Sequence, residues 1–478
     1  KINFLQITLF LTPMMNMRTV FSAIILAILL FAGLSTTSCK KFQGFSTGNL
    51  DFSKDTVVFD TVFTTIGSTT QRLKIYNNSN KTLNVDEIEL VGGSNSPFRI
   101  NVDGLKGISF ANLEIEKDDS LFIFVEVTLQ VNNATNPMVI EDKIRFRTNG
   151  KDQFIVLAVW GQDMYYHQND FNSGVWSNDK PHLIYGFAGI DSAQTLTIEA
   201  GTQIFMHKNA LIYNYKGTLN IEGTKNEKVV IQGDRLEQYY QDQRGQYYGI
   251  YMQEARPSTF RHVEIKNGTA GIHLFSRDPN TSGPTLDIKY SEIHNNSRYG
   301  IFIFDGAEVL AESCILHKNE SHGLFVLGGG DFNFNNCNIL SYGGSVAAVG
   351  ITNMYEPNDP SQPTIIGNIN QGTITNCAIT GNSLTEMVIN TSNPGGAVTL
   401  NFNIQRNLIY SEFIPTDSYF LNNIWNENPL FNNINEGIYT FQNLSPLNNS
   451  ANTAFPSFFD FCENPRNIST PDIGAWDL

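Results

Sequence analysis

The chain has 478 residues, 41% of them hydrophobic and 16% charged, a balance that rules out a disordered polymer and has room for two or three domains. Its 31 Lys and Arg against 46 Asp and Glu leave a net charge of -15, which repels a phosphate backbone and argues against nucleic acid as a partner.

Residues 1–38 read as an upstream segment and a signal peptide. Val20 to Leu34 is an apolar run preceded by Met17 and Arg18. It falls short of the roughly 20 residues that span a bilayer and fits the hydrophobic region of an export signal. Residues 1–16 begin with Lys, precede the plausible starts Met14, Met15 and Met17, and are set aside from fold reasoning. Ser35-Thr36-Thr37-Ser38 leads into Cys39. This stretch resembles the lipobox of bacterial lipoproteins, with Thr36 and Ser38 in place of the usual Leu and Gly or Ala. The resemblance implies lipid attachment at Cys39 and an anchor in the outer membrane. A simple signal peptide or an uncleaved anchor is the alternative. Lys40-Lys41 lacks the acidic cluster of surface-exported lipoproteins of the Bacteroidota type, which favours a periplasm-facing location over the cell surface. Residues 39–50 form the linker.

From 51 to 161, short alternating strands are separated by turn signals at Asn77-Asn78, Gly92-Gly93 and Asn132-Asn133. Asn149-Gly150 tolerates positive φ at both positions and predicts a tight hairpin. Phe154, Val156, Ala158 and Trp160 share one face of its second strand. About seven strands in this span predict an immunoglobulin-like β-sandwich. Residues 162–180 are expected to be a second linker.

The region 181–410 carries an internal repeat. Leu196 and Ile198 recur as Leu219 and Ile221, 23 residues on, and Ile293, Leu316 and Ile339 keep the same spacing. Ile265, Ile379 and Ile409 extend the series at longer intervals, as if loops interrupted a basic coil. A 23-residue period of β-type runs without helical periodicity predicts one turn of a parallel β-helix: three strands and three turns, stacked at ~4.8 Å. Stacking predicts ladders: Asn296, Asn319 and Asn382 at one turn, Cys314, Cys337 and Cys377 facing inward as free thiols, and a Lys289–Glu312 pair between coils. Cys462 has no evident partner. Residues 411–478 are expected to cap the open end of the helix.

Several motifs carry a family resemblance. They are the opening Leu196 to Thr202, Gly245-Gln246-Tyr247-Tyr248-Gly249-Ile250, Asn426-Glu427-Asn428-Pro429-Leu430-Phe431, Leu444-Ser445-Pro446, and Pro471-Asp472-Ile473-Gly474-Ala475-Trp476. With the lipobox, they resemble right-handed parallel β-helix repeat lipoproteins, a group related in fold to pectate lyases. The resemblance implies an all-β chain, a right-handed parallel β-helix preceded by an immunoglobulin-like β-sandwich, and no settled activity.

Lyases on this fold need calcium-binding carboxylates beside a basic residue, and hydrolases need paired aspartates; the sequence displays neither cluster. Calcium is expected only under a lyase reading, and otherwise no cofactor is evident. Ser321-His322-Gly323 resembles the Gly-His-Gly of polygalacturonases without its accompanying residues. His294 and His317, 23 apart, predict stacked imidazoles on an outward ridge, with Arg298 and His322 in the following turns. Two such rings can bind a metal or an anionic sugar, or form a polar ladder; no metal site is assigned, because spacing supplies no third ligand. Tyr239, Tyr240, Tyr247 and Tyr248 in the insertion 234–248, with Tyr251 after it, are candidate sugar-stacking residues. Binding of polysaccharide or another cell-envelope polymer by a monomer, without catalysis, is the expected function. A polysaccharide lyase or glycoside hydrolase is one alternative, and a structural or adhesive envelope protein is another.

Overall fold

The computed structural model describes residues 44–478 apart from positions 134, 360 and 456. The signal peptide and Cys39 lie outside the described residues. Alternating apolar positions build ten strands in the first domain: β1 (Asp51–Phe52), β2 (Thr56–Phe63), β3 (Gln71–Asn77), β4 (Leu83–Leu90), β5 (Phe98–Val102), β6 (Leu105–Gly107), β7 (Ser109–Ile115), β8 (Asp119–Val127), β9 (Met138–Thr148) and β10 (Lys151–Gln162). They pair into two five-stranded sheets, β1-β3-β8-β5-β6 and β2-β10-β9-β4-β7, with β2 and β10 parallel. Leu73, Ile75, Ile123 and Val125 of one sheet and Val85, Ile144, Phe146 and Leu157 of the other fill the core between them. The β9–β10 turn is the expected one, with φ of 51° at Asn149 and 73° at Gly150. In β10 both faces are apolar, and the core takes Ile155, Leu157 and Val159 while Phe154 and Trp160 stay exposed.

The second domain winds through three parallel faces. Each coil places one strand on the first face (for example Glu308–Glu312), one on the second (Ile315–His317) and one on the third (Leu324–Leu327). Strands one coil apart pair in parallel register, so Leu196 stands over Leu219, and Ile265, Ile293, Leu316, Ile339, Ile379 and Ile409 form one continuous column. All are fully buried and belong to a single interior core. The three aligned thiols are buried and free in that core, and Lys289 meets Glu312 at 2.8 Å.

Three expectations need correction. Residues 162–180 do not form a linker, because Tyr165–Phe171 and Gly174–Trp176 pair in parallel with His182–Ile190 and Thr195–Glu199 and begin the β-helix. Phe63 of β2 packs there against Leu183 and Phe205, joining the domains. The asparagine ladder is shorter than expected: the Asn296 amide reaches Asn319 at 2.8 Å, whereas Tyr342 takes the next place and Asn382 is exposed. Finally, coils continue past 411, through Phe420–Leu421 and Ile424–Trp425. The chain beyond them lies along the side of the barrel, not across its end. The outward positions Ile315, Leu340, Ala378 and Leu408 of the second face are apolar, and Phe431, Tyr439, Phe441 and Ile473 cover them. Within the long interval from Ile339 to Ile379, Met354–Tyr355 pairs antiparallel with Ile365–Ile366 as a hairpin.

Candidate functional site

The third face carries aromatic residues at its outward positions. Tyr213, Tyr251, His273, Phe302 and Phe325 occupy one register position in five successive coils. Their ring centroids are separated by 5.7, 4.7, 4.5 and 5.4 Å, close to the coil spacing that the backbone imposes. Phe275 and Phe304 form a second column beside them, 5.1 Å apart. The outward column ends at Gly350, where a Cβ would press within 3.0 Å of His322 and Phe325.

Tyr251, His273 and Phe302 of the first column and Phe275 and Phe304 of the second floor a groove of about 570 Å³. Tyr248 stands at 88° to Tyr251 and Tyr355 at 90° to Phe304, so one wall comes from the insertion 234–248 and the other from the start of the 354–366 hairpin. Tyr299 and Arg298 also line the groove, and no carboxylate does. The Tyr248 hydroxyl lies 2.7 Å from His273 Nδ1. Burial pushes the His273 imidazole down to about 4 and the Tyr251 phenol up to about 12, so both are neutral at physiological pH. The lining is therefore aromatic, mostly uncharged and rimmed by hydroxyl groups, with the exposed Arg298 as its single cation.

The five tyrosines singled out from sequence separate. Tyr248 and Tyr251 line the groove. Tyr247 is buried, and its hydroxyl donates to the carbonyls of Lys266 at 2.7 Å and Ile231 at 3.2 Å, so its role is to hold the insertion down. Tyr239 and Tyr240 pack edge to face elsewhere in the insertion, with the Arg235 guanidinium 4.0 Å above Tyr240. Phe302, Phe304, Phe275, His273 and Tyr299 escaped the sequence reading, although Phe302 and Phe325 keep the 23-residue spacing.

The expected histidine ridge also divides. His294 and His317 stack on the second face, 4.7 Å apart and within 9° of parallel. Arg298 belongs to the groove of the third face, and His322 stacks on Phe325 at 4.8 Å while its Nδ1 donates to the Ala347 carbonyl at 2.7 Å. The ridge is not solvated as expected: His317 is 3% exposed beneath the C-terminal segment, its Nδ1 3.0 Å from the Tyr439 hydroxyl and its Nε2 2.9 Å from Glu292.

A separate cleft of about 250 Å³ opens where the two domains meet, lined by Asp60, Asp234, Glu237, His207 and Tyr185 among others. Two of its carboxylates are already engaged. Asp234 lies 2.6 Å from His207 Nδ1, and Glu237 is 2.8 Å from Arg235. Burial raises the Asp234 carboxyl, with His207 opposing.

Comparison with known proteins bears on the scaffold. Residues 187–339 match the family described as right handed beta helix region. No curated protein matches the chain. Among solved structures, it is similar to a family 123 glycoside hydrolase from Clostridium perfringens, at 10% identity and a TM-score of 0.17 over 24% of this chain; it spans only 26% of that protein. It is also similar to the Agl-KA catalytic domain, at 11% identity and a TM-score of 0.20, covering 74% of this chain and 81% of that one. A third likeness is to the catalytic domain of a GH87 α-1,3-glucanase in complex with tetrasaccharides, at 10% identity and a TM-score of 0.19, covering 78% and 92%. Scores this low transfer no activity. The parallel strand register and the family match together make this an all-β chain built on a right-handed parallel β-helix.

Proposed function

We propose that the chain is an exported cell-envelope protein that binds a glycan, or another extended polymer, along the third face of its β-helix without cleaving it. The observation that carries this reading is the aromatic floor, which recurs on three successive coils in a groove that no carboxylate lines among the described residues. A polymer laid along the axis meets an equivalent surface at each ~4.8 Å step, and rings flanked by hydroxyls suit sugars, whose faces are apolar and whose edges are polar. Hydrolysis by two carboxylates has no place in such a lining. The test is retention of the purified chain by acidic and neutral polysaccharides in affinity electrophoresis, with reducing ends and unsaturated products assayed in parallel. Retention without products is expected. Failure to bind any polysaccharide, or cleavage of one, overturns the reading.

The domain-junction cleft supports a second reading, a glycoside hydrolase, because burial holds Asp234 toward its protonated form, as a general acid requires. Under that reading Asp234→Asn abolishes product formation; under ours no product exists to lose. Lipid attachment at Cys39 and a periplasm-facing outer-membrane location complete the proposal, with the first domain as an immunoglobulin-like spacer and the chain as a monomer. The parallel pairing of β2 with β10 supports that sandwich type. Loss of palmitate labelling in Cys39→Ala tests the anchor.

A further inference from the structure

The stacked imidazoles of the second face have a third partner that spacing between coils did not reveal. Glu292 precedes His294 by two residues, so both side chains project outward from the same strand, and His317 lies directly under His294 one coil on. One carboxylate oxygen and two imidazole nitrogens from these residues lie within 4.8 Å of one another. Backbone pairing holds all three: Glu292 stands opposite Ile315 and His294 opposite His317 in one parallel ladder.

The surrounding charges are unequally matched. Glu264, one coil earlier, is committed to Lys228 at 2.5 Å and Lys266 at 3.1 Å. Glu292 faces no lysine or arginine within ion-pair range among the described residues; its partner is His317, which is buried. A half-buried carboxylate with no lysine or arginine in ion-pair range is a negative charge that a small cation can offset.

His317 is also oriented as metal-binding histidines are. Without an ion, Nε2–H donates to the Glu292 carboxylate at 2.9 Å and Nδ1 accepts from the Tyr439 hydroxyl at 3.0 Å; an ion that takes the place of the Nε2 proton moves the proton to Nδ1, where the Tyr439 oxygen can accept it. A cavity of about 120 Å³, lined by Glu264 and Glu292 and also by Lys225 and Lys228, opens beside Glu292 and has room for water.

We propose that Glu292, His294 and His317 bind one divalent transition-metal ion, zinc by the character of the donors, with Tyr439 as the residue that positions His317. Two imidazole nitrogens with one carboxylate oxygen suit zinc, whereas calcium and magnesium take oxygen ligands. Zinc holds its ligands at ~2.0–2.2 Å, so binding draws the three donor atoms closer than they stand here, chiefly by turning the half-buried His294 ring. Water from the adjoining cavity completes the shell.

The experiment uses the full chain, stripped with a chelator and titrated with Zn²⁺ by calorimetry against a competing chelator, and separately with Co²⁺ read by visible absorption. Uptake of one ion per chain is expected, with the absorption of tetrahedral cobalt. His294→Ala and Glu292→Gln each weaken zinc binding by at least about tenfold, and Tyr439→Phe by about the same factor, the range typical for partners that orient a metal-bound histidine. His294 is outward and half-buried, so its alanine variant is expected to fold, and far-UV circular dichroism checks this. His167 and His182 also meet, Nε2 to Nδ1 at 2.9 Å in the first coils, and His182→Gln leaves the affinity unchanged. The proposal is overturned if the stripped chain takes up no stoichiometric zinc, or if folded His294→Ala and Glu292→Gln bind it as tightly as the parent.

Discussion

Replacing Phe302 with alanine separates the groove's role in binding from its role in folding. The ring lies 4.5 Å from His273, 4.8 Å from Tyr299 and 5.4 Å from Phe325, as the fourth of five rings in the outward column. A fully buried Phe→Ala change costs about 3–5 kcal/mol, and Phe302 is half-buried, so roughly 2 kcal/mol of stability is expected to go. Leu310 provides the control. It sits on the first face at the start of the next coil, also outward and half-buried, so Leu310→Ala loosens the rung that follows Phe302 while leaving the groove intact. Losing one ring from the floor is expected to weaken polysaccharide retention by about tenfold, or ~1.4 kcal/mol, near the upper end of what one aromatic contact supplies. Urea unfolding monitored by circular dichroism gives the first quantity, and affinity electrophoresis gives the second. Only Phe302→Ala should lose retention, although both variants lose stability. Equal loss of retention in the two, or unchanged retention in a folded Phe302→Ala, refutes the assignment of the third face.

Leu316→Ala empties a fully buried place between Ile293 and Ile339, and because coil register limits collapse around it, urea unfolding is expected to show a loss of about 3–5 kcal/mol; a loss below about 1 kcal/mol is incompatible with a shared apolar column. Gly249→Ala places a Cβ 1.7 Å from the Ala270 carbonyl oxygen at a φ of 136°, so its urea midpoint should drop by the equivalent of at least about 3 kcal/mol, and a near-neutral result means the neighbouring coils are not this close. Burial holds His182 and His273 down to about 4, so the unfolded chain takes up their protons first as pH falls. Stability in chelator is expected to be insensitive to these groups above pH ~6.5 and to fall between there and pH ~4, by up to about 2.7 kcal/mol per pH unit for the two. Urea midpoints that stay level from pH 7 to 5 contradict their buried, neutral state.

The scaffold was legible because a β-helix turns sequence distance into spatial contact by one rule. The intervals linking Ile293, Leu316 and Ile339 are backbone register, and intervals longer than 23 are loops that leave the register undisturbed, as at Ile265 and Ile379. The first coil was missed for a physical reason. Tyr165–Phe171 is the end strand of its sheet, paired only with His182–Ile190, and Tyr165, Tyr166 and Phe171 are exposed, so the alternation typical of inner coils is lost. The lateral course of the C-terminal segment depended on apolar outward residues such as Leu340 and Leu408, which in sequence look like further members of the core.

The candidate sites were only half legible, and parity explains why. Two residues 23 apart share a face only if the coil between them carries no insertion, whereas residues two apart on one strand share a face always. Grouping His294, His317, Arg298 and His322 by proximity in sequence mixed two faces separated by a turn, and the structure divides them accordingly. The rule within a strand finds what that grouping missed: Glu292 beside His294 on the second face, and Phe302 beside Phe304 on the third. Side-chain chemistry in this chain is therefore organised per face along the axis, with a charged and imidazole-bearing strip on one side and an aromatic strip on another. The aromatic strip, free of carboxylates among the described residues and walled by two insertions, is the face on which we place the polymer, whereas the imidazole strip, covered by Tyr439, is where we place the ion.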